Sequence, residues 1–258
     1  MNNDDGDRVP TAAALIIGDE ILSGRTRDSN LQTIALKLEE RGIRLREVRV
    51  VPDLEAEIAA AVNALRRRYT YVFTTGGIGP THDDITAAAI AVAVGKPLTR
   101  HPEAWQRMSA HYARIGVPFN EARARMAHTP EGATLIDNQV SIAPGFIIDN
   151  VLVLAGVPEI MKAMLESALP HLVGGAPMLS RTVLCGLPEG TIATGLAAVE
   201  NAHPGVKIGS YPSWTRRDGF EVALVLRSID AAALEQAATT LRALIRDLGG
   251  TERLVGDT

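Results

Sequence analysis

The sequence has little cysteine, no excess of positive charge and no long hydrophobic run. Cys185 is the single cysteine, which excludes an intramolecular disulfide and a cysteine-cluster metal site and fits a reducing compartment. We interpret it as a buried strand residue. Lys and Arg number 26 against 30 Asp and Glu, for a formal charge of -4, so the charge balance does not favour nucleic acid or an anionic membrane. A small molecule is therefore the expected partner.

No apolar run approaches the roughly 18 residues that a membrane-spanning helix needs. The first ten residues are mostly polar, from Asn2 to Asp7, and lack the features of a signal or transit peptide. We therefore expect a disordered tail over residues 1–10 and a cytoplasmic location.

Apolar runs that alternate with amphipathic segments predict an α/β fold with a doubly wound, mainly parallel sheet. Polar βα loops at 18–30 and 75–86 should lie beyond the carboxyl ends of the strands, where such sheets bind ligands. Strands are predicted at 12–18, 45–51, 71–74 and in a final 145–155 hairpin, with helices from 30, after Asp53, and at 85–94, 102–116, 120–127 and 158–169. The two-residue turn Asp149-Asn150 makes the hairpin antiparallel, so the sheet should be mixed.

A loop-like stretch near residue 176 predicts a domain boundary, with a main domain over 11–175 and a small α+β domain over 176–258. The second domain has the predicted order βαββα. Its strands cover 181–187, 206–211 and 220–227, and its helices 191–202 and 231–248.

The segment from Thr74 to Thr86 carries the clearest chemical signal, because Gly76, Gly77 and Gly79 lie between a strand and a helix. Glycines let backbone amides approach an anion, and the helix start adds a positive dipole end. A phosphate group fits there. The loop has neither the Walker sequence nor the spacing of a dinucleotide fingerprint.

Two adjacent carboxylates, Asp83 and Asp84, follow the glycines. Like charges repel, and a divalent cation that bridges carboxylate and phosphate oxygens would remove the conflict. Alternatively, Asp84 caps the helix and Asp83 is solvated, with no ligand at all. The loop alone leaves both interpretations open.

Several motifs in the same order resemble the molybdopterin-binding (MogA/MoaB/CinA-type) domain family over residues 12–172. The likeness is strongest to the N-terminal domains of competence/damage-inducible protein A (CinA) and of FAD synthases. It rests on Thr74–Asp84 with Thr86, on Gly18–Gly24 with Asp28 and Asn30, on Pro130–Ala133 and Ala143–Phe146, and on Gly156–Met161. A weaker likeness links Lys207–Pro212 to a segment that follows this domain in FAD-synthase-like relatives. The CinA amidohydrolase domain has no counterpart here, so we expect no nicotinamide mononucleotide cleavage.

The resemblance implies a divalent metal (Mg, Mn or Co) and hydrolysis of a nucleotide pyrophosphate such as ADP-ribose or FAD. It implies that Asp83 and Asp84 hold the metal and that Asp84, Asp83 and Glu20 are catalytic, with Asp19 an alternative base. Ile78 replaces the threonine of the molybdopterin adenylyltransferases, which argues against adenylate transfer to molybdopterin. The implied ligand-binding residues are Thr75, Gly76, Gly77, Gly79, Thr81, Thr86, Asp19, Asn30, Gly156 and Pro158.

The family resemblance also implies a homo-oligomer, and the alanine-rich helix 86–94 supports that expectation because it has little polar surface. Two other hypotheses remain: a molybdopterin- or nucleotide-binding protein without hydrolase activity, and a non-catalytic scaffold. We expect His82 to be exposed without a catalytic role. Trp105 and Tyr112, seven residues apart on one helical face, should pack against a neighbour.

Overall fold

A computed structural model describes residues 9–212 and 222–255. Residues 1–8 of the predicted tail lie outside these residues. The chain divides into two compact units, the first ending at Gly175 and the second beginning at Ala176. No helix of the described residues is long and apolar enough to cross a membrane.

The first unit alternates strands with helices along the chain. Its strands are β1 Thr11–Ile17, β2 Arg44–Val51, β3 Tyr71–Thr75, β4 Leu98–Arg100, β5 His128–Pro130, β6 Thr134–Ile136, β7 Gly145–Ile148 and β8 Val151–Leu154. Its helices are α1 Asp19–Leu22, α2 Asn30–Glu40, α3 Glu55–Arg66, α4 Thr86–Val94, α5 Pro102–Arg114, α6 Glu121–Arg125 and α7 Pro158–Ala168.

The main sheet of this unit has the order β2-β1-β3-β8-β7-β6. Its first four strands are parallel, whereas β7 is antiparallel to both β8 and β6. The predicted hairpin and mixed sheet are confirmed. The hairpin supplies the last two strands of the sheet along the chain, as predicted, but the unpredicted strand β6 pairs with β7 through Leu135 and Phe146 and forms the edge.

Strand β1 separates two hydrophobic cores because its side chains point alternately to the two faces of the sheet. Ala13, Leu15 and Ile17 pack with residues of α3 and α4. Ala12 packs on the opposite face with residues of α2 and α7. Helices on both faces confirm the doubly wound arrangement.

Helix α3 begins at Glu55, after Asp53 as predicted, and has no side-chain cap, so Asp53 does not cap it. Leu54 has the helical spacing of the buried residues Ile58 and Leu65, but it precedes the helix and is 58% exposed.

The second unit contains β9 Leu179–Cys185, α8 Glu189–Ala202, β10 Lys207–Pro212, β11 Val222–Ser228, α9 Ala231–Asp247 and β12 Glu252–Val255. Its antiparallel sheet has the order β10-β11-β9-β12. The structure adds β12 to the predicted order, and residues 220 and 221 of the predicted third strand lie outside the described residues. Cys185 is fully buried in β9, as expected.

Candidate functional site

The loops that follow β1, β2, β3 and β8 meet at one edge of the main sheet. Backbone hydrogen bonds join them: Gly18 N donates to Val51 O at 3.2 Å, and Gly76 N donates to Leu154 O at 3.2 Å. The predicted βα loops are therefore neighbours, as the parallel topology requires.

The glycine loop after β3 passes very close to other backbone. Gly76 has φ 105, and a Cβ there would collide with Ile17 O. A Cβ at Gly77, which has φ 66, would collide with the Thr86 hydroxyl. Both positions therefore need glycine for the fold itself, whether or not a ligand is bound.

The Gly76 amide is committed to the sheet through its bond to Leu154 O. This corrects the expectation that all three glycine amides hold phosphate, and it leaves Gly77 and Gly79 as the amides for that role. Thr86 is fully buried, and its hydroxyl donates to Gly76 O at 2.9 Å. This hydrogen bond fixes the shape of the glycine loop from its buried side.

Asp84 closes the loop rather than capping α4. Thr81 N donates to Asp84 Oδ2 at 2.8 Å, and the Thr81 hydroxyl donates to the same oxygen. The residue before α4 is Ile85, with no side-chain cap, so the capping interpretation is wrong. A Cβ on Gly79 would lie 2.6 Å from Asp84 Oδ2, so the carboxylate fits against the missing side chain.

Asp83 has different surroundings from Asp84. A hydrogen bond from the Thr81 side chain lowers the pKa of Asp83. The Thr81 hydroxyl has one proton, so it donates to Asp83 or to Asp84 but not to both at once, and its short bond is to Asp84. The His82 ring lies 3.9 Å from Asp83, and the His82 side chain is 97% exposed, as expected for a histidine without a structural contact.

Asp53 is an acidic residue of this edge that the sequence interpretation missed. Burial raises the pKa of Asp53, and the charges of Asp19, Glu20 and Asp83 raise it further, against a hydrogen bond from the Asp19 amide. That amide lies 3.0 Å from Asp53 Oδ2. Four carboxyl groups from three loops thus create a negative potential at this edge.

Two cavities share the glycine loop as a common wall. One of about 640 Å³ is lined by Glu20, Thr81, Gly156 and Pro158, among others. The other, of about 710 Å³, lies towards Trp105 and Arg125. Gly77, Ile78, Gly79, Asp84 and Met126 line both cavities.

Aromatic packing borders the larger cavity. Trp105 and Tyr112 pack against Phe119, with ring centroids 5.0 and 5.4 Å apart, as expected. The Arg100 guanidinium lies 4.6 Å from the Trp105 ring centroid. Arg125 donates to Thr81 O at 3.1 Å, which links α6 to the loop.

The remaining predicted ligand-binding residues gather beside the smaller of these cavities. Asn30 and Thr75 are buried, at the start of α2 and the end of β3. Gly156 lies so close to Gly76 that a Cβ on Gly156 would be 3.2 Å from Gly76 Cα. Pro158 begins α7. The backbone amide of Asp19 instead donates to Asp53 Oδ2, and Asp19 does not line either cavity.

The donor set limits the kind of metal site that these residues can form. Among residues 9–212 and 222–255, no three His, Cys, Asp or Glu side chains gather with the geometry of a metal site. A divalent cation held by Asp83 and Asp84 would therefore have to take most of its ligands from phosphate and water, as Mg²⁺ can.

The fold and the loop at its ligand-binding edge define a molybdopterin-binding type of domain. Residues 13–174 match the model for the probable molybdopterin binding domain, and residues 177–249 match the FAD synthase middle domain. The chain belongs to the family of probable molybdopterin-binding domains. This confirms the resemblance, including the weaker one in the second unit.

Individual relatives agree with this assignment. The crystal structure of CinA from Thermoplasma acidophilum, a protein of unknown function, is 31% identical with a TM-score of 0.59, over 63% of this chain and 98% of that one. A protein of Aeropyrum pernix is 34% identical over 96% of both chains. CinA-like proteins of Desulfosudis oleivorans and Geobacter metallireducens are 38% and 34% identical, over 77% and 95% of this chain. The matches span 51% and 61% of those two longer proteins.

Proposed function

We propose that this chain hydrolyses a nucleotide pyrophosphate of the ADP-ribose or FAD type, with a divalent metal. The observation that carries the proposal is the position of the glycine loop: Gly77, Gly79 and Asp84 line cavities on both of its sides. A ligand with two bulky ends joined by a diphosphate suits this arrangement.

The cavity sizes support a two-ended ligand. Ligand pockets usually measure about 300–1,000 Å³, and volumes of about 640 and 710 Å³ leave room for a nucleoside-sized group in each. The diphosphate would then cross the loop, where the amides of Gly77 and Gly79 would donate to it.

The carboxylates divide into different roles. Asp84 is the one carboxylate among the described residues that line both cavities, so it would lie beside a diphosphate that crosses the loop. A divalent ion held by Asp84 or Asp83 would polarise a phosphoryl oxygen. Glu20, which lines the smaller cavity, or Asp19 beside it in the chain would accept a proton from the attacking water.

The direct test is release of AMP from ADP-ribose or FAD, with Mg²⁺, Mn²⁺ and Co²⁺ tried separately. Metal-dependent AMP release that is lost in Asp84→Asn supports the proposal. The matched control is Asp149→Asn, which makes the same chemical change at an exposed hairpin turn where φ is 51. That variant should hydrolyse normally, because asparagine tolerates this conformation well.

Other outcomes would identify the alternatives. A rise in melting temperature with nucleotides or molybdopterin but no turnover would indicate a binding protein in cofactor assembly. No response to any of these ligands would favour a scaffold.

A further inference from the structure

We infer that Asn30 and Glu20 form a small pocket that accepts a ribose hydroxyl of the nucleotide ligand. The inference rests on the proposed function, since it names the part of the nucleotide that the smaller cavity recognises.

Asn30 is 4% exposed, yet only one end of its amide is paired. Its Nδ2 donates to Gly156 O at 2.7 Å. No group of the described residues donates to its Oδ1, which is buried. The orientation of the amide is fixed, because Gly156 O can only accept and would repel Oδ1 if the amide were flipped. A buried acceptor without a donor costs about 1–3 kcal/mol, so a donor from a ligand would be favourable there.

Asn30 lines a small cavity of about 70 Å³. Glu20, Thr26, Gly76, Gly156 and Pro158 line both this cavity and the one of about 640 Å³. The two spaces are therefore adjacent. The small cavity is far smaller than its neighbour, so it fits hydroxyl substituents of a ligand rather than a whole base. A substituent of a ligand in the larger space fits it.

Two polar groups of the small cavity are hydrogen-bond acceptors, so the cavity favours ligand groups that donate hydrogen bonds. The Glu20 carboxylate lies over Gly18, where a Cβ would be 2.5 Å from Glu20 Oε2. Asn30 Oδ1 and the Glu20 carboxylate are both acceptors, and a negatively charged phosphate would be repelled by Glu20. Arg27 also lines the cavity, as an exposed residue. Ribose hydroxyls are donors of the right size, and acidic side chains commonly bind them.

The test is calorimetric binding of ADP-ribose and of analogues that each lack one ribose hydroxyl. The protein should bind one of these analogues roughly 10- to 100-fold more weakly than ADP-ribose, because a buried acceptor is then left unpaired. In Asn30→Ala this difference should shrink to about twofold or less, which a purely structural role of Asn30 would not produce.

Asn138→Ala is the matched control. Asn138 is also buried, at 5% exposure, but both ends of its amide are bonded to its own loop, through Ser141 and Ala143 among others. This variant should lose stability and keep the discrimination between ligands. If Asn30→Ala does not fold, the comparison of analogues on the unchanged protein decides the question.

The outcomes separate the two proposals. Equal affinity for ADP-ribose and every analogue would overturn the hydroxyl pocket and leave nucleotide binding intact; Asn30 Oδ1 would then be bonded to water. Absence of binding by ADP-ribose and all analogues would overturn the proposed function and this inference with it.

Discussion

Thr81 and Asp84 are joined twice, since both the amide and the hydroxyl of Thr81 donate to Asp84 Oδ2. Asp84→Asn keeps an oxygen that can accept from the amide but removes the charge. We expect turnover to fall about 100-fold, equivalent to about 2.7 kcal/mol of barrier, with little change in melting temperature. Steady-state kinetics with a saturating metal ion would measure this. Near-normal hydrolysis by the folded variant would contradict the role of Asp84.

Gly79→Ala tests whether the position of the Asp84 carboxylate matters. The added Cβ would lie 2.6 Å from Asp84 Oδ2, so the carboxylate must move. We expect nucleotide affinity to fall about tenfold or more, about 1.4 kcal/mol. Gly190→Ala is the control, because no atom lies within 4 Å of its new Cβ and the residue is helical. It should bind normally and gain up to about 1 kcal/mol of stability.

The buried threonines Thr74 and Thr86 should respond oppositely to the same substitution. Thr86 donates to Gly76 O, so Thr86→Val removes a buried hydrogen bond and should cost about 1–3 kcal/mol of unfolding free energy. Thr74 Oγ1 has no partner among the described residues, so Thr74→Val should be neutral or stabilising. Urea unfolding of both variants measures the difference. Equal losses of unfolding free energy in the two variants would show that the hydrogen bond from Thr86 to Gly76 O does not stabilise the fold.

The ion pair between Arg242 and Glu252 should make the stability of the second unit depend on pH. Hydrogen bonds from Arg242, at 2.8 and 3.0 Å, are the main cause of a lowered pKa of Glu252. The stabilisation of the folded state by this ion pair is complete above the pKa of Glu252 in the unfolded chain, about 4.3. It is lost as the pH falls through the lower pKa of Glu252 in the folded protein. Glu252→Gln should therefore cost about 1 kcal/mol at neutral pH, and the difference from wild type should vanish in acid.

Calorimetric melting across this pH range measures the effect. Glu235→Gln is the control: Glu235 also pairs with an arginine, Arg181, but is 52% exposed, so the change should stay below about 0.5 kcal/mol. A difference between wild type and Glu252→Gln that stays constant into acid would argue against the ion pair.

Homo-oligomerisation remains a prediction from the family resemblance. The alanine-rich helix α4 no longer supports it, because Thr86, Ala89, Ile90, Ala91 and Ala93 are buried within the first unit. Light scattering should give a particle larger than the 27.5 kDa of one chain. A particle of that mass at working concentration would contradict the prediction.

Much of the first unit was predictable because long strands and amphipathic helices leave periodic patterns. The strands β6 and β12 were not, since Thr134–Ile136 and Glu252–Val255 are too short to show alternation and depend on their partners. In the site, the glycine loop was evident from sequence. The role of Asp53 was not, because an acidic residue before a helix looks like a cap, and only the folded chain brings it to the Asp19 amide.

The place of β8 in the sheet also bears on how the protein folds. Val151–Leu154 is the last strand of that sheet in the chain, yet it lies between β3 and β7. The Gly76 amide and the Asn30 side chain bond to Leu154 and Gly156, so the loops reach their final positions only after this strand has docked. Such long-range pairing is slow to form. In a refolding experiment, nucleotide binding should therefore recover after most of the helical signal, and a chain that ends before Gly156 should not bind.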